Sequence, residues 1–457
     1  MRPRVPMWSN SEGIMLNTRP DGDRQRVDVP QAQQVPMVLA NASYYGTLAA
    51  VRALGRAGVQ VTTVDPARLG LARYSRYSSQ HLKCPAFEAT DQWAEWLLRL
   101  GRSGPPRAVY ATSDAVSFAL ARHRNELSAA FNLYQPECET IISILDKGRL
   151  LQDARAVGMD TPTTWFPQTA EEAAKIASEI SGGVLIKPRS QLAQRNHKKG
   201  GLVVKADGRQ VRATFDVFRR DATHNSEFAR QCPESMTPLL QEYYPEAKKV
   251  VYSLTGFREE SSGRTIMRGA KKVFSRPRQI GVGLCFEDAP VLPDLAQHTV
   301  RLCERIGYYG AFELEFVMVG QKAMLIDFNG RFYNQLAFDI GRGMDLAWIA
   351  HAAATDDRDT LARAIASAGT TPRESAGIKS FRNRVELAMT LKMQRVCNAM
   401  SRKEADQWRH WPPGPSGNVI DAIEDDSDPL PSYIDRVEKL MAAVRHPRAF
   451  VRQFGSP

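Results

Sequence analysis

The sequence predicts an α/β unit, then an α+β unit built largely of hairpins, then a mostly helical C-terminal extension. Three observations carry this. Between 35 and 137, short apolar runs ending in polar residues alternate with helix-like stretches, the rhythm of a parallel sheet. Between 246 and 355, strand-like segments succeed one another, some across turn-like separators such as REESSG and VGQK, which points to antiparallel pairing. From 356 onward the strand signal fades into Arg- and Ala-rich helical sequence.

Residues 1–34 are polar and lack the apolar core of a secretory signal, so they read as a disordered leader, with Met15 and Met37 as further candidate starts. In 35–137, VPMVLAN, VQVTTVD and AVYATSD are strands, and YYGTLAAVRALGRAG is a helix closing on Gly58. Ligands sit at the carboxyl ends of parallel strands. That makes Asn41, Ser43, Asp65, Ser113 and Asp114 candidates, with helix capping as the plainer reading of each.

The second unit, 138–245, opens with the helical CETIISILDKGRLLQDARAVGM. The strand TTWFP, a helix over 169–181, the strand GGVLIKPR, a polar loop and the strand PLLQEYY follow. The third unit, 246–355, contributes KKVVYSLTGF, RTIMRGAKKVF, GVGLCFED, AFELEFVMVG and KAMLIDFNG as strands and one helix over 293–306. The extension, 356–457, contains a Pro/Gly linker in WRHWPPGPSGN and a helix around PSYIDRVEKLMAAVRHP.

The length of 457 residues suits about three domains at roughly 150 residues each. Hydrophobic residues at 43% and charged residues at 24% fit a globular protein with a large core. No apolar run approaches the ~18–20 residues of a membrane span. Six scattered cysteines form no CxxC pair, which argues for free thiols in a reducing cytoplasm and against a zinc site. The net charge of +11 is spread along the chain without a nucleic-acid-binding module, so no nucleic-acid partner is expected. The tail VRHPRAFVRQF sets Phe450, Val451 and Phe454 among arginines. It reads either as a weak contact with an anionic membrane surface or as a helix packed on the domain.

The chemistry concentrates in AFELEFVMVGQKAMLIDFNGR, 311–331. Strand alternation places Glu313 and Glu315 on one face, and Asp327 and Asn329 on one face of the next strand, with Ile326 and Phe328 turned to the core. A hairpin through GQK brings the two polar faces together. Clustered carboxylates repel and call for a cation, and a few hard oxygen ligands suit Mg²⁺ shared with phosphates; the alternative is a solvated acidic face. Lys187, ending the apolar strand GGVLIKPR, can reach a phosphate oxygen. The loop QLAQRNHKKGG, within 190–201, can cover it, with His197, Lys198 and Lys199 against phosphate or in solvent. In LLQEYYPEAKK the extended backbone can meet a purine edge, and Glu242 can accept from a ribose hydroxyl or an amine. Lys147 stands in LDKGRLL. Alternation turns one of Lys271 and Lys272 inward, and Arg276, Arg278 and the Gly281/Gly283 loop are candidates to hold an acidic substrate.

In this order, these motifs resemble the ATP-grasp superfamily of ligases, over about residues 140–350 for the grasp and 35–135 for the preceding α/β domain. The detail is most similar to the carboxylate–amine ligase branch related to D-aspartate ligases, which ASYYGTLAAVRALGRAGVQVTTVD and DSDPLP (426–431) also suit. The resemblance implies that Lys147 and Lys187 hold ATP phosphates, with Lys199 in the covering loop. It assigns adenine and ribose to Gln241, Glu242 and Tyr243, and two Mg²⁺ to Glu315, Asp327 and Asn329. Arg331, Lys187 and Lys271 are the implied catalytic cations. Glu315 is preferred to Glu313 because it lies opposite Asp327 across a short turn. Asp327 stands where glutamate is usual, and the covering loop is long and basic rather than glycine-rich.

The implied reaction joins a small carboxylate to an amine: a carboxylate attacks the γ-phosphoryl group, and the amine displaces phosphate from the acylphosphate. Related enzymes are often dimers, so a homodimer is an expectation. Two other readings stand beside this one. One is an ATP-binding scaffold without catalysis. The other is a carboxyphosphate-forming carboxylase, although the glutamate–histidine pair those enzymes carry after Asn-x-Arg is missing from NGRFYNQLAFDIG.

Overall fold

The computed structural model describes residues 34–455 apart from 68, 181, 195–200, 206, 221, 223–224, 249, 279–280, 371–377 and 413–418. The expected leader therefore lies outside the described residues except for Gln34, and so do His197, Lys198 and Lys199.

The first sheet is parallel, in the order β3-β2-β1-β4-β5, from β1 (Met37–Ala40), β2 (Val61–Asp65), β3 (Ser78–Lys83), β4 (Arg107–Tyr110) and β5 (Phe131–Leu133). Its central strands are short apolar runs because both faces are covered. Met37 and Leu39 pack with the helix Tyr45–Arg56, and Val38 and Ala40 with Trp93 and Leu97 of the helix Thr90–Arg102. The first core also takes in Leu346, Ile349 and Ala350, some three hundred residues further along the chain. There His351 Nε2 meets the Val35 carbonyl at 2.8 Å. The edge strand β3, SSQHLK, is polar and lacks alternation, as suits an exposed edge, and this is why periodicity did not mark it.

A small sheet, β6-β9-β7-β8, joins β6 (Thr164–Trp165), β7 (Gly183–Lys187), β8 (Leu202–Lys205) and β9 (Leu239–Glu242). Val184 and Ile186 of β7 pack with Phe215 and Phe218 of the helix Gly208–Arg220. β7 thus pairs antiparallel with β8, a strand the sequence reading did not assign.

The large sheet runs β14-β13-β10-β11-β12-β15-β16, from β10 (Val251–Arg258), β11 (Thr265–Arg276), β12 (Val282–Ala289), β13 (Gly310–Val319), β14 (Lys322–Asn329), β15 (Ser380–Arg382) and β16 (Val419–Asp421). Its last two strands come from the extension. They are three residues each, too short for periodicity to show. The helix Pro293–Ile306 starts on a proline at the first turn and stops at Gly307, φ 69°, the chemistry of a helix start and a left-handed cap. The extension also ties back to the first sheet. Asp428, of DSDPLP, is buried and accepts from Arg52 Nε at 2.9 Å, Ser75 Oγ at 2.6 Å and the Arg76 amide at 2.8 Å.

The stretch expected as one helix from Cys138 is two, Cys138–Leu145 and Lys147–Ala156, broken at Asp146. Asp146 is extended, and its carboxylate accepts from the Arg149 amide at 2.9 Å, an N-cap. It also meets Arg189 Nε at 2.7 Å and accepts from Cys232 Sγ at 3.3 Å. The cap aims Lys147 out of the first turn. Asp146 is fully buried, so Asp146→Ala is expected to lower stability by about 3–5 kcal/mol, as for a broken buried pair. Asp146→Asn, which keeps an acceptor for the cap, should lose less; thermal unfolding midpoints of the two variants check this.

Candidate functional site

A cleft lies between the small and large sheets, and nine of the assigned site residues line it: Lys147, Lys187, Gln241, Glu242, Tyr243, Glu315, Asp327, Asn329 and Arg331. The β13–β14 register sets its floor. Glu313 pairs with Asn329 and Glu315 with Asp327, so four polar groups share one face. The pairing shifts by one residue after Glu315. This bulge corrects the expected alternation: Leu325 and Phe328 are buried in the core, whereas Ile326 turns into the cleft. An extra residue in one strand reverses the side facing the core beyond it.

The floor is a lattice of charge. Lys147 pairs with Asp327 in a close contact, and Lys272 Nζ meets Glu315 Oε1 at 2.5 Å. Burial pushes the Asp327 carboxyl up, but the charges of Lys147, Lys187 and Arg331 outweigh it and hold the group below the usual carboxylate range. Glu313 differs. It accepts from Ser253 Oγ at 2.8 Å, Asn329 Nδ2 at 3.1 Å and, closely, Gln335 Nε2, yet has no ion-pair partner among the described residues. Burial, and then the charge of Glu315, push it well above the usual range. Lys187 is its cationic counterpart. It is buried and has no ion-pair partner among the described residues. Burial and the neighbouring Lys147 bring it down to about 7, against the pull of Asp327 and Glu315.

Lys271 is corrected. It pairs with Tyr252 across β10–β11, on the face opposite the cleft, and is exposed. Lys272, opposite Val251, is the inward lysine. Strand alternation allowed either, and only the register decides. Arg276 and Arg278 do not hold the cleft wall from inside. Arg276 Nη2 pairs with Glu386 at 2.8 Å and stacks on Phe454, and Arg278 lies over Phe274. The tail is thus a helix, Pro447–Gly455, packed through Phe454. Gly281 and Gly283, the other part of that expectation, do line the cleft.

Arg331 is held from the first sheet. Its Nε meets Asp114 Oδ1 at 2.5 Å, Nη1 reaches Tyr44 Oη at 3.4 Å, and Nη2 donates to Asn329 Oδ1 at 2.8 Å. The next amide, Phe332 N, donates to the Ala111 carbonyl. Of the strand-end candidates, Asp114 therefore serves the site, while Ser113 caps a helix by accepting from the Val116 amide. Asp65 accepts from the Ser43 amide at 3.2 Å and the Ala67 amide at 2.8 Å.

At the other end, Gln241 Nε2 donates to Thr164 Oγ1 at 2.9 Å and Glu242 accepts from Tyr244 Oη at 2.8 Å. Apolar walls come from Pro162, Leu185, Val251, Val317 and Ile326. Sequence reasoning missed these walls, because an apolar residue in a strand carries the same signal whether it faces core or ligand. It also missed Tyr44 and Gln335, which lie far apart in the chain. The arrangement, apolar walls leading to a buried ammonium and a carboxylate cluster, suits a ligand with an apolar ring and an anionic chain.

No family model matches the chain, and no curated protein matches it. Solved structures do. The biotin carboxylase domain of Hydrogenobacter thermophilus 2-oxoglutarate carboxylase, in complex with MgADP, ADP and bicarbonate, superposes at TM-score 0.54 and 17% identity, over 71% of this chain and 70% of that one. Campylobacter jejuni biotin carboxylase matches at 0.53 and 15%, over 70% and 71%. An L-amino acid ligase from Bacillus licheniformis matches at 0.51 and 12%, over 70% and 74%. At such identities the likeness speaks for the fold: the chain has the fold of the ATP-grasp enzymes.

Proposed function

We propose that the protein is an ATP-dependent carboxylate–amine ligase forming an amide through an acylphosphate, with release of ADP and phosphate. One observation carries the reading: a buried ammonium, Lys187, and a buried carboxylate, Glu313, each without an ion-pair partner among the described residues, face one cleft. Uncompensated buried charges are costly, and an anionic ligand bound together with a cation relieves both.

The adenine ring enters the slot of Leu185, Val317 and Ile326, along the backbone of Gln241, Glu242 and Tyr243. Lys147 and Lys187 hold the phosphates. Glu315, Asp327 and Asn329, with Glu313, hold Mg²⁺. Among the described residues no group of three acidic, His or Cys side chains is placed to hold a metal by itself, so this reading requires Asn329 and nucleotide oxygens to complete the cation's ligands. When bound, Mg²⁺ neutralises charge on the transferring phosphoryl group. Before nucleotide arrives, Lys147 and Lys272 neutralise Asp327 and Glu315; afterwards they turn to phosphate oxygens, a task Lys272 takes over from Lys271. Arg331 sits where the acyl phosphate forms and keeps Asn329 in place. Phosphoryl transfer depends mainly on such positioning and charge. The six cysteines are free thiols, which supports a cytoplasmic setting. The expected cover over the phosphates, the loop 190–201 with Lys199, falls in large part on residues outside the described ones.

Phosphate release from Mg²⁺–ATP, followed with panels of carboxylates and amines and with bicarbonate, tests the reading. Release is expected only with a carboxylate and an amine together, and Lys187→Ala and Asp327→Ala should each lower it by about 100-fold or more. Bicarbonate-dependent release without an amine would favour the carboxylase reading, and ATP binding without release the scaffold. In the same assay Lys272→Ala should lose most activity while Lys271→Ala stays near wild type. Proton linkage gives a check without a substrate. With its pKa at about 7, Lys187 is mostly neutral at pH 8 and must gain a proton to meet phosphate. Nucleotide binding at pH 8, measured calorimetrically in buffers of different ionisation enthalpy, should take up nearly one proton, and in Lys187→Met it should not.

A further inference from the structure

The helix Leu430–Arg445 carries an apolar stripe that no described residue of the chain covers. Leu430, Tyr433, Val437, Leu440 and Val444 are 49%, 59%, 51%, 65% and 74% exposed. These five belong to the nine large apolar residues exposed among the described residues, so the feature is concentrated rather than scattered. Their spacing is three, four, three, four, a strict seam rather than the broad apolar face of a helix lying on its own core.

The opposite face is fixed to the molecule. Pro431, Ser432 and Asp435 are buried. Lys439 Nζ meets Tyr45 Oη at 2.9 Å and Glu386 at 3.6 Å. The helix is thus anchored on one side and presents the seam on the other. In a heptad, Leu430, Val437 and Val444 take position a, and Tyr433 and Leu440 take position d. β-Branched residues at a with leucine at d favour two strands. The flanking e and g positions hold Ile434, Met441, Arg436 and Ala443. Arg436 is already met by Glu424 at 2.6 Å, so a facing copy brings no unpaired like charges together.

We propose that this seam is a homodimer interface, in which the Leu430–Arg445 helices of two copies pack knobs into holes. Five exposed apolar side chains along a 16-residue helix put such a pair near the lower bound of about 1,000 Å² for a specific interface. An interface of this small size belongs to the weak, reversible class of associations. An anionic membrane is the other candidate occupant. The narrow seam, and the half-buried carboxylate of Glu438 beside it, fit it less well than a second helix.

Sedimentation velocity of the full chain from about 1 to 200 µM tests this. The expected result is a rise from monomer to dimer, displaced at least about tenfold to higher concentration in Val437→Glu/Leu440→Glu. Both positions are exposed, and an unchanged thermal midpoint at a concentration where the wild type is monomeric verifies the fold. Leu430→Ile, placing a further β-branched residue at a, should keep or tighten the dimer and needs no disruptive change. Wild-type protein monomeric throughout, or a glutamate variant that dimerises equally well, overturns the proposal. So does a monomer that pellets with phosphatidylserine vesicles through the same two residues. Nucleotide binding and phosphate release do not enter the readout, so the outcome stands apart from the ligase reading.

Discussion

The guanidinium of Arg331 is the interaction on which the rest of the site depends. It leaves the end of the β13–β14 hairpin, crosses to Asp114 at the carboxyl end of the first parallel sheet, and returns a donor to Asn329. Asn329 in turn donates to Glu313. A single planar cation thereby sets where the hairpin ends, how the carboxamide is turned and how the first sheet docks. Arginine suits the task because its donors form a rigid fork that can meet several acceptors at once. Gly46 serves the same junction by space: a Cβ there would stand 2.4 Å from the Tyr333 carbonyl, so the Tyr45–Arg56 helix can lie directly on the turn that follows Arg331.

Around this junction the cleft is arranged as opposed charges at graded degrees of compensation. Lys147 with Asp327 and Lys272 with Glu315 are matched pairs. Lys187 and Glu313 are left over, and both shift toward neutrality through burial. A desolvated group without a partner gives up its charge. A ligand that restores partners therefore gains the interaction and relieves the penalty together, the general advantage of a preorganised site.

The extension takes part in the same architecture. It adds β15 and β16 to the large sheet, buries Asp428 against Arg52, and receives Arg276 and Arg278 from the strand that leads into the cleft wall. Because those arginines point away from the cleft, the wall itself is made of small residues, Ser275, Gly281 and Gly283. Its shape is set from behind by packing.

Much of this was legible in the chain alone. Period-two alternation marked β10 to β14, the turn residues marked their hairpins, and the positions of Asp327, Asn329 and Arg331 on one strand announced a polar face on an otherwise apolar element. Those signals are local, since a strand's side chains alternate whatever it pairs with. What the sequence could not decide was register and partnership. A bulge after Glu315 turned Ile326 out of the core, pairing across β10–β11 chose Lys272 over Lys271, and Arg276 found Glu386 110 residues away. The polar edge strand β3 and the short strands β5, β15 and β16 exist only because neighbours complete them. Such outcomes depend on contacts between segments distant in the chain, and one residue of slip exchanges the buried face for the exposed one.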